Sequence, residues 1–163
     1  DPDRVAKYDE GLFITLYLAP HNYHRIHSIN DGEVFEFAYI PGDLWTVSPL
    51  GVKQVPGLFA RNERIVTYLE TEYGECALVK VGATVVGKIR VKYHQQVTNL
   101  RCGKNMFVKL DRPWQAKRGE EIGLFELGSS VICLFSKGQV EAADLQTGQP
   151  VRFGQSLGRF VNQ

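Results

Sequence analysis

The apolar residues of this chain never settle into a helical rhythm. No stretch of ten or more positions repeats them every 3.6 residues, so no sizeable amphipathic helix is expected. Short runs rich in β-branched and aromatic residues recur instead, punctuated by sixteen glycines. Residues 12–18 (LFITLYL) read as a buried strand. Residues 33–40 (EVFEFAYI) read as another and stop at Pro41-Gly42. Residues 64–69 and 76–81 follow, with Tyr73-Gly74 as the turn between them. Across 85–93 the second half alternates, with Ile89, Val91 and Tyr93 on one side and Lys88, Arg90 and Lys92 on the other. Further strands are expected at 105–110, 122–126, 130–135 and 151–153. Single helical turns are expected at 22–27 and 56–61. The pattern implies an all-β fold, a compact barrel-sandwich-like arrangement with short helical turns. No linker or low-complexity segment divides it, so residues 1–163 are expected to form one domain.

A chain of 163 residues with 44% hydrophobic and 23% charged residues can bury a real core. Its net charge of +1 gives no electrostatic reason to expect a nucleic-acid partner. No apolar run reaches the ~20 residues of a spanning helix, so any membrane contact is expected to be peripheral. The three cysteines, Cys76, Cys102 and Cys133, are odd in number and form no CxxC pair. They read as buried reduced thiols in a reducing compartment.

Two clusters carry residues suited to chemistry. In APHNYHRIH, three of the four histidines, His21, His24 and His27, fall within seven residues. Imidazole is the side chain best poised for proton transfer near neutral pH. A helical turn over 22–27 would put His24 and His27 on one face, where they could serve different steps at one site. Histidines satisfied by local hydrogen bonds are the plainer reading of the same spacing. A metal site using these three and His94 is disfavoured. A regular turn cannot aim positions i, i+3 and i+6 equally well at one ion, and no acidic partner lies inside the cluster. The second cluster is FELGSSV, where Gly128-Ser129 interrupts two apolar segments that would otherwise run on as core strands. Such a pair is usually only a turn. Held rigidly, however, it could press a serine hydroxyl against its own preceding carbonyl. There is no GxSxG motif to suggest a hydrolase.

Five blocks carry a more specific signal: FITLYLAPHNYHRIH (13–27), YIPGDLWTVSP (39–49), LFARNERIV (58–66), VGATVVGKI (81–89) and KRGEEIGLFELGSSVICLF (117–135). In order and spacing the chain resembles the phosphatidylserine decarboxylases, with LGSS in place of the commoner LGST. The resemblance implies a carbon–carbon lyase made as a proenzyme. Ser129 Oγ would attack the Gly128 carbonyl and turn the amide into an ester. β-Elimination would release a β chain, residues 1–128, and leave dehydroalanine at 129. Hydrolysis would then give ammonia and a covalent pyruvoyl cofactor heading an α chain, residues 129–163. By the same resemblance His27 would belong to an Asp-His-Ser arrangement that activates Ser129. His24 would return a proton to the substrate Cα once CO2 has left, and Tyr17 would line the substrate pocket. The family's aspartate lies upstream of the histidine block in an Asp-Gly context. Asp1, Asp3, Asp9 and Asp31 do not match it, so no aspartate is assigned.

The implied substrate is phosphatidylserine and the product phosphatidylethanolamine. A lipid substrate implies peripheral association with a membrane surface, at the cytoplasmic face of a bacterial cell membrane or at the mitochondrial inner membrane in a eukaryote. The Lys88, Arg90 and Lys92 face could meet anionic headgroups, although a solvated strand face explains it as well. A homodimer is among the assemblies the resemblance allows. Two alternatives stay open: a pyruvoyl decarboxylase acting on a soluble amino acid, and a truncated, non-catalytic β domain.

Overall fold

The computed structural model describes residues 2–84, 88–96, 98 and 103–161. The central element is a hairpin of β4 (Arg64–Thr71) and β5 (Gly74–Val81), paired in register from Arg64↔Val81 to Thr71↔Gly74. Gly74 sits at φ 98, where a Cβ would be strained, and the Thr71 hydroxyl closes the turn by donating to the Gly74 carbonyl at 2.8 Å. From Cys76 onward β5 is buried on both faces, which is why it reads as a continuous apolar run broken only by Lys80.

Around this hairpin the chain builds a six-stranded antiparallel sheet in the order β1-β9-β5-β4-β3-β7. It uses β1 (Leu12–Tyr17), β3 (Gly32–Ile40), β7 (Met106–Ala116) and β9 (Ser130–Phe135). A second sheet, β2-β8-β6, joins β2 (Arg25–His27), β8 (Glu121–Phe125) and β6 (Ile89–Val91). The two sheets share one hydrophobic core, with Val34, Phe37, Ile65 and Leu78 from the larger and Ile89 and Ile122 from the smaller. A third pair, β10 (Val140–Ala142) and β11 (Gly158–Phe160), docks through the Phe160 ring. That ring stacks on Tyr73 at 4.9 Å and meets the edge of Phe135 at 5.9 Å.

Short helices decorate the sheets: α1 (Pro2–Ala6), α2 (Pro49–Gln54) and α3 (Leu58–Arg61). Ser48 caps α2 by accepting from Gly51 N, and Pro49 fits its first turn. The expected all-β class therefore holds, with short helices as accessories. The sheets are open, with β1 and β7 at the edges of the larger one, and among the described residues no barrel closes. β7 tolerates Pro113 because an edge strand can spare one donor. Two expectations fail. Residues 151–153 form no strand; the C-terminal pairing uses β10 and β11 instead. Residues 22–27 form no helical turn, because 25–27 pair with β8. Of the expected strand 85–93, Ile89–Val91 is observed, while 85–87 lie outside the described residues, as does Cys102.

Candidate active site

Gly128 and Ser129 occupy the joint between β8 and β9. A Cβ at Gly128 would sit 2.3 Å from the Leu18 carbonyl oxygen and 2.7 Å from the Ala19 carbonyl carbon, so only glycine lets the chain pass here. The close approach is fixed from both sides. β9 lies between β1 and β5, with Ser130 in register with Tyr17 and with Val81. Leu18 N–H donates to the Ser129 carbonyl at 2.7 Å, extending the β1–β9 ladder by one residue. Ser129 is fully buried, and its hydroxyl donates to the Val81 carbonyl at the end of β5. The next hydroxyl, on Ser130, is also buried and has no hydrogen-bond partner among the described residues.

His24 lies beside this joint. Its carbonyl accepts from Phe125 N at 3.0 Å, which continues the β2–β8 pairing toward the Gly128–Ser129 joint. Its Nε2 is 3.1 Å from the Ala19 carbonyl, the same group that crowds Gly128. Because a carbonyl can only accept, Nε2 carries the proton. Tyr17, 43% exposed, ends β1 opposite Ser130.

His27 lies further along β2, opposite Glu121 and beyond a register shift between Ile26 and His27. Its Nδ1 is 2.7 Å from the Gly119 carbonyl and its Nε2 is 2.8 Å from the Tyr23 hydroxyl. The ring stacks on Tyr23 with centroids 5.6 Å apart and packs against Phe153 at 4.2 Å. The structure thus gathers Gly128, Ser129, Tyr17 and His24 around one joint, and gives the His27 ring separate partners. Among the described residues neither histidine is hydrogen-bonded to Ser129. His24 and His27 do not share a helix face: the backbone of 24–27 takes its hydrogen bonds from β8, and each ring follows its own acceptor. His21 is exposed. His94 is remote in chemistry, accepting from Gln96 N at 3.0 Å and packing on Phe37 at 4.8 Å.

Several contributors were not legible from sequence. Leu18 and Val81 act through backbone groups, which leave no signature in residue type. Tyr23 stood inside the histidine block without an assigned role, and its four-residue spacing from His27 was the available clue. Phe153 lay in a run read as a strand. The Lys88, Arg90 and Lys92 face also looks different in the fold. Arg90 pairs with Glu126 at 2.7 Å and Lys92 with Glu121 at 3.5 Å, so much of its charge is answered from β8 and the residue after it.

A family model described as phosphatidylserine decarboxylase matches residues 1–159. This chain belongs to the phosphatidylserine decarboxylase family. Relatives named phosphatidylserine decarboxylase proenzyme include one from Anaeromyxobacter sp. (strain K), 45% identical over 97% of this chain and 57% of its own length. Others come from Brevibacillus brevis, 41% identical over 95% of this chain and 56% of its own, and from Coxiella burnetii, 43% identical over 97% and 56%. The chain thus spans rather more than half the length of these phosphatidylserine decarboxylase relatives.

Proposed function

We propose that this chain carries the processing site of a phosphatidylserine decarboxylase proenzyme, which cuts itself between Gly128 and Ser129 into a β chain that ends at Gly128 and an α chain that begins at residue 129, folded as one domain. The observation that carries the reading is the clamp on that joint. Gly128 is pressed against Leu18 and Ala19, while Ser129 is held by Leu18 N–H and the Val81 carbonyl. A hydroxyl held on the residue that directly follows the carbonyl it must attack has most of its entropic cost removed in advance. Rotation of Ser129 about its Cα–Cβ bond would release Val81 and bring Oγ to the Gly128 carbonyl carbon. His27 would take the proton, in line with its place in the family's histidine block.

The surroundings of residue 129 fit a pyruvoyl group. Leu18 N–H is placed to hold the carbonyl of residue 129. The unpartnered, buried Ser130 hydroxyl is a free donor one residue away. Once formed, the group would supply an electron sink for loss of CO2. His24, holding a proton on Nε2 beside the joint, would protonate the substrate Cα, and Tyr17 would line the entrance from the end of β1. The substrate proposed is phosphatidylserine, with the complete protein resting peripherally on a membrane surface and free to dimerise.

Electrophoresis of the complete encoded protein tests the reading. Wild type should yield two chains. Ser129→Ala and His27→Ala should each remain as one. His24→Ala should still cut yet release at least ~100-fold less CO2 from phosphatidylserine, the scale of a lost general acid. A wild-type protein that stays whole would favour a non-catalytic β domain.

A further inference from the structure

The His27 ring is held on three sides. Nδ1 faces the Gly119 carbonyl at 2.7 Å, which can only accept, so Nδ1 carries the proton. In the neutral ring Nε2 is then the lone-pair nitrogen, and it accepts the hydrogen bond from the Tyr23 hydroxyl at 2.8 Å. Tyr23 and His27 lie nearly parallel, 14° apart, and Phe153 packs against both, with centroids 4.2 Å from His27 and 5.7 Å from Tyr23. These rings are not a core feature. Tyr23 is 51% and Phe153 66% exposed, so burial does not explain why they gather on a histidine. Gly119 is at φ 78 in the turn before β8, a geometry that aims its carbonyl with little strain only as glycine.

We propose that Tyr23 is a positioning residue for His27: its hydroxyl holds the Nε2 lone pair oriented while Phe153, from the stretch beyond the cleavage site, keeps the ring from turning. This rests on the role given to His27 above. Tyr23 occupies the one nitrogen of His27 able to accept a proton, so proton transfer from Ser129 has to proceed with Tyr23 exchanging out of that bond. The ring meanwhile stays in the Nδ1–H form through Gly119. Phe153 lies in the prospective α chain and His27 in the prospective β chain, so the stack would also tie the two products together after cutting.

The test uses histidine-labelled complete protein carrying Ser129→Ala, which keeps the chain whole. Nitrogen NMR of the imidazoles should show His27 as a single Nδ1–H tautomer. Adding Tyr23→Phe retains the stacking ring but should move the Nε2 signal downfield, while Gly119 keeps the proton on Nδ1. In the Ser129 background, Tyr23→Phe should slow self-cleavage roughly 10-fold, less than the loss expected for a general base itself. Phe153→Leu should slow it while leaving the tautomer unchanged. An unmoved Nε2 signal in Tyr23→Phe would overturn the inference whatever the cleavage rate, and a moved signal with an unchanged rate would overturn the positioning role. If the Ser129 protein does not cut at all, the processing reading fails, whereas the nitrogen signals still decide whether Tyr23 orients His27.

Discussion

Lys80 is an ammonium-bearing side chain placed near the end of the most buried strand. It is fully buried, donates to the Thr67 hydroxyl and to the Leu78 carbonyl at 3.3 Å, and has no carboxylate partner among the described residues. Burial pushes its pKa down from 10.5 to about 7, with nearby Cys133 opposing slightly. The folded state therefore binds fewer protons than the unfolded chain between about pH 7 and pH 10.5. In that window stability should rise with pH, by about 1.4 kcal/mol per unit for this one group. Below it both states are protonated and the full cost of a buried charge remains. Urea unfolding of wild type and Lys80→Met across pH 6 to 10 checks this. Lys80→Met should be the more stable at the acid end, and the slope should be absent. An equal slope in both proteins would show that Lys80 does not titrate as its surroundings dictate.

At the level of elements, legibility followed burial and length. β4, β5 and β9 were readable because a strand buried on both faces concentrates Val, Ile and Leu in one short run. β2 was not, since three residues beside polar neighbours carry no period, and its pairing with β8 is a tertiary choice. The LGSS joint is legible in the sequence only as part of its family block. The clamp that gives it chemistry comes from main-chain groups of Leu18, Ala19 and Val81 that no residue type announces. Similarly, Asn62 looks unremarkable in sequence yet is fully buried, donating to the Trp45 and Gly82 carbonyls at 2.8 Å and accepting from Trp45 N at 3.0 Å. It staples the loop after β3 to the end of β5, next to the residue whose carbonyl holds Ser129. Asn62→Ala leaves buried backbone groups unpaired and should cost ~2–4 kcal/mol in chemical denaturation. A loss below ~0.5 kcal/mol would mean the staple is not structural.

Across the whole molecule, distant parts of the chain meet over the large sheet, from β1 across to β3. Arg4 from α1 pairs with Glu36 at 2.5 Å and lies over the Tyr68 ring at 4.1 Å. Tyr8 donates to Glu75 at 3.1 Å, and Lys137 reaches Glu10 at 2.6 Å. In the large sheet β9 is the strand that would belong to the α chain, yet it is hydrogen-bonded on both edges by strands that would belong to the β chain. Cutting at Gly128 would therefore leave the α chain held in the sheet by two ladders. The two chains are expected to co-purify under native conditions and to separate only on denaturation.

The mass of the small chain released from the complete encoded protein is the most direct test of the central claim. A fragment that begins at residue 129 and is lighter by one ammonia than the same peptide beginning with serine is the predicted result. A fully cut fragment that begins with intact serine would contradict it.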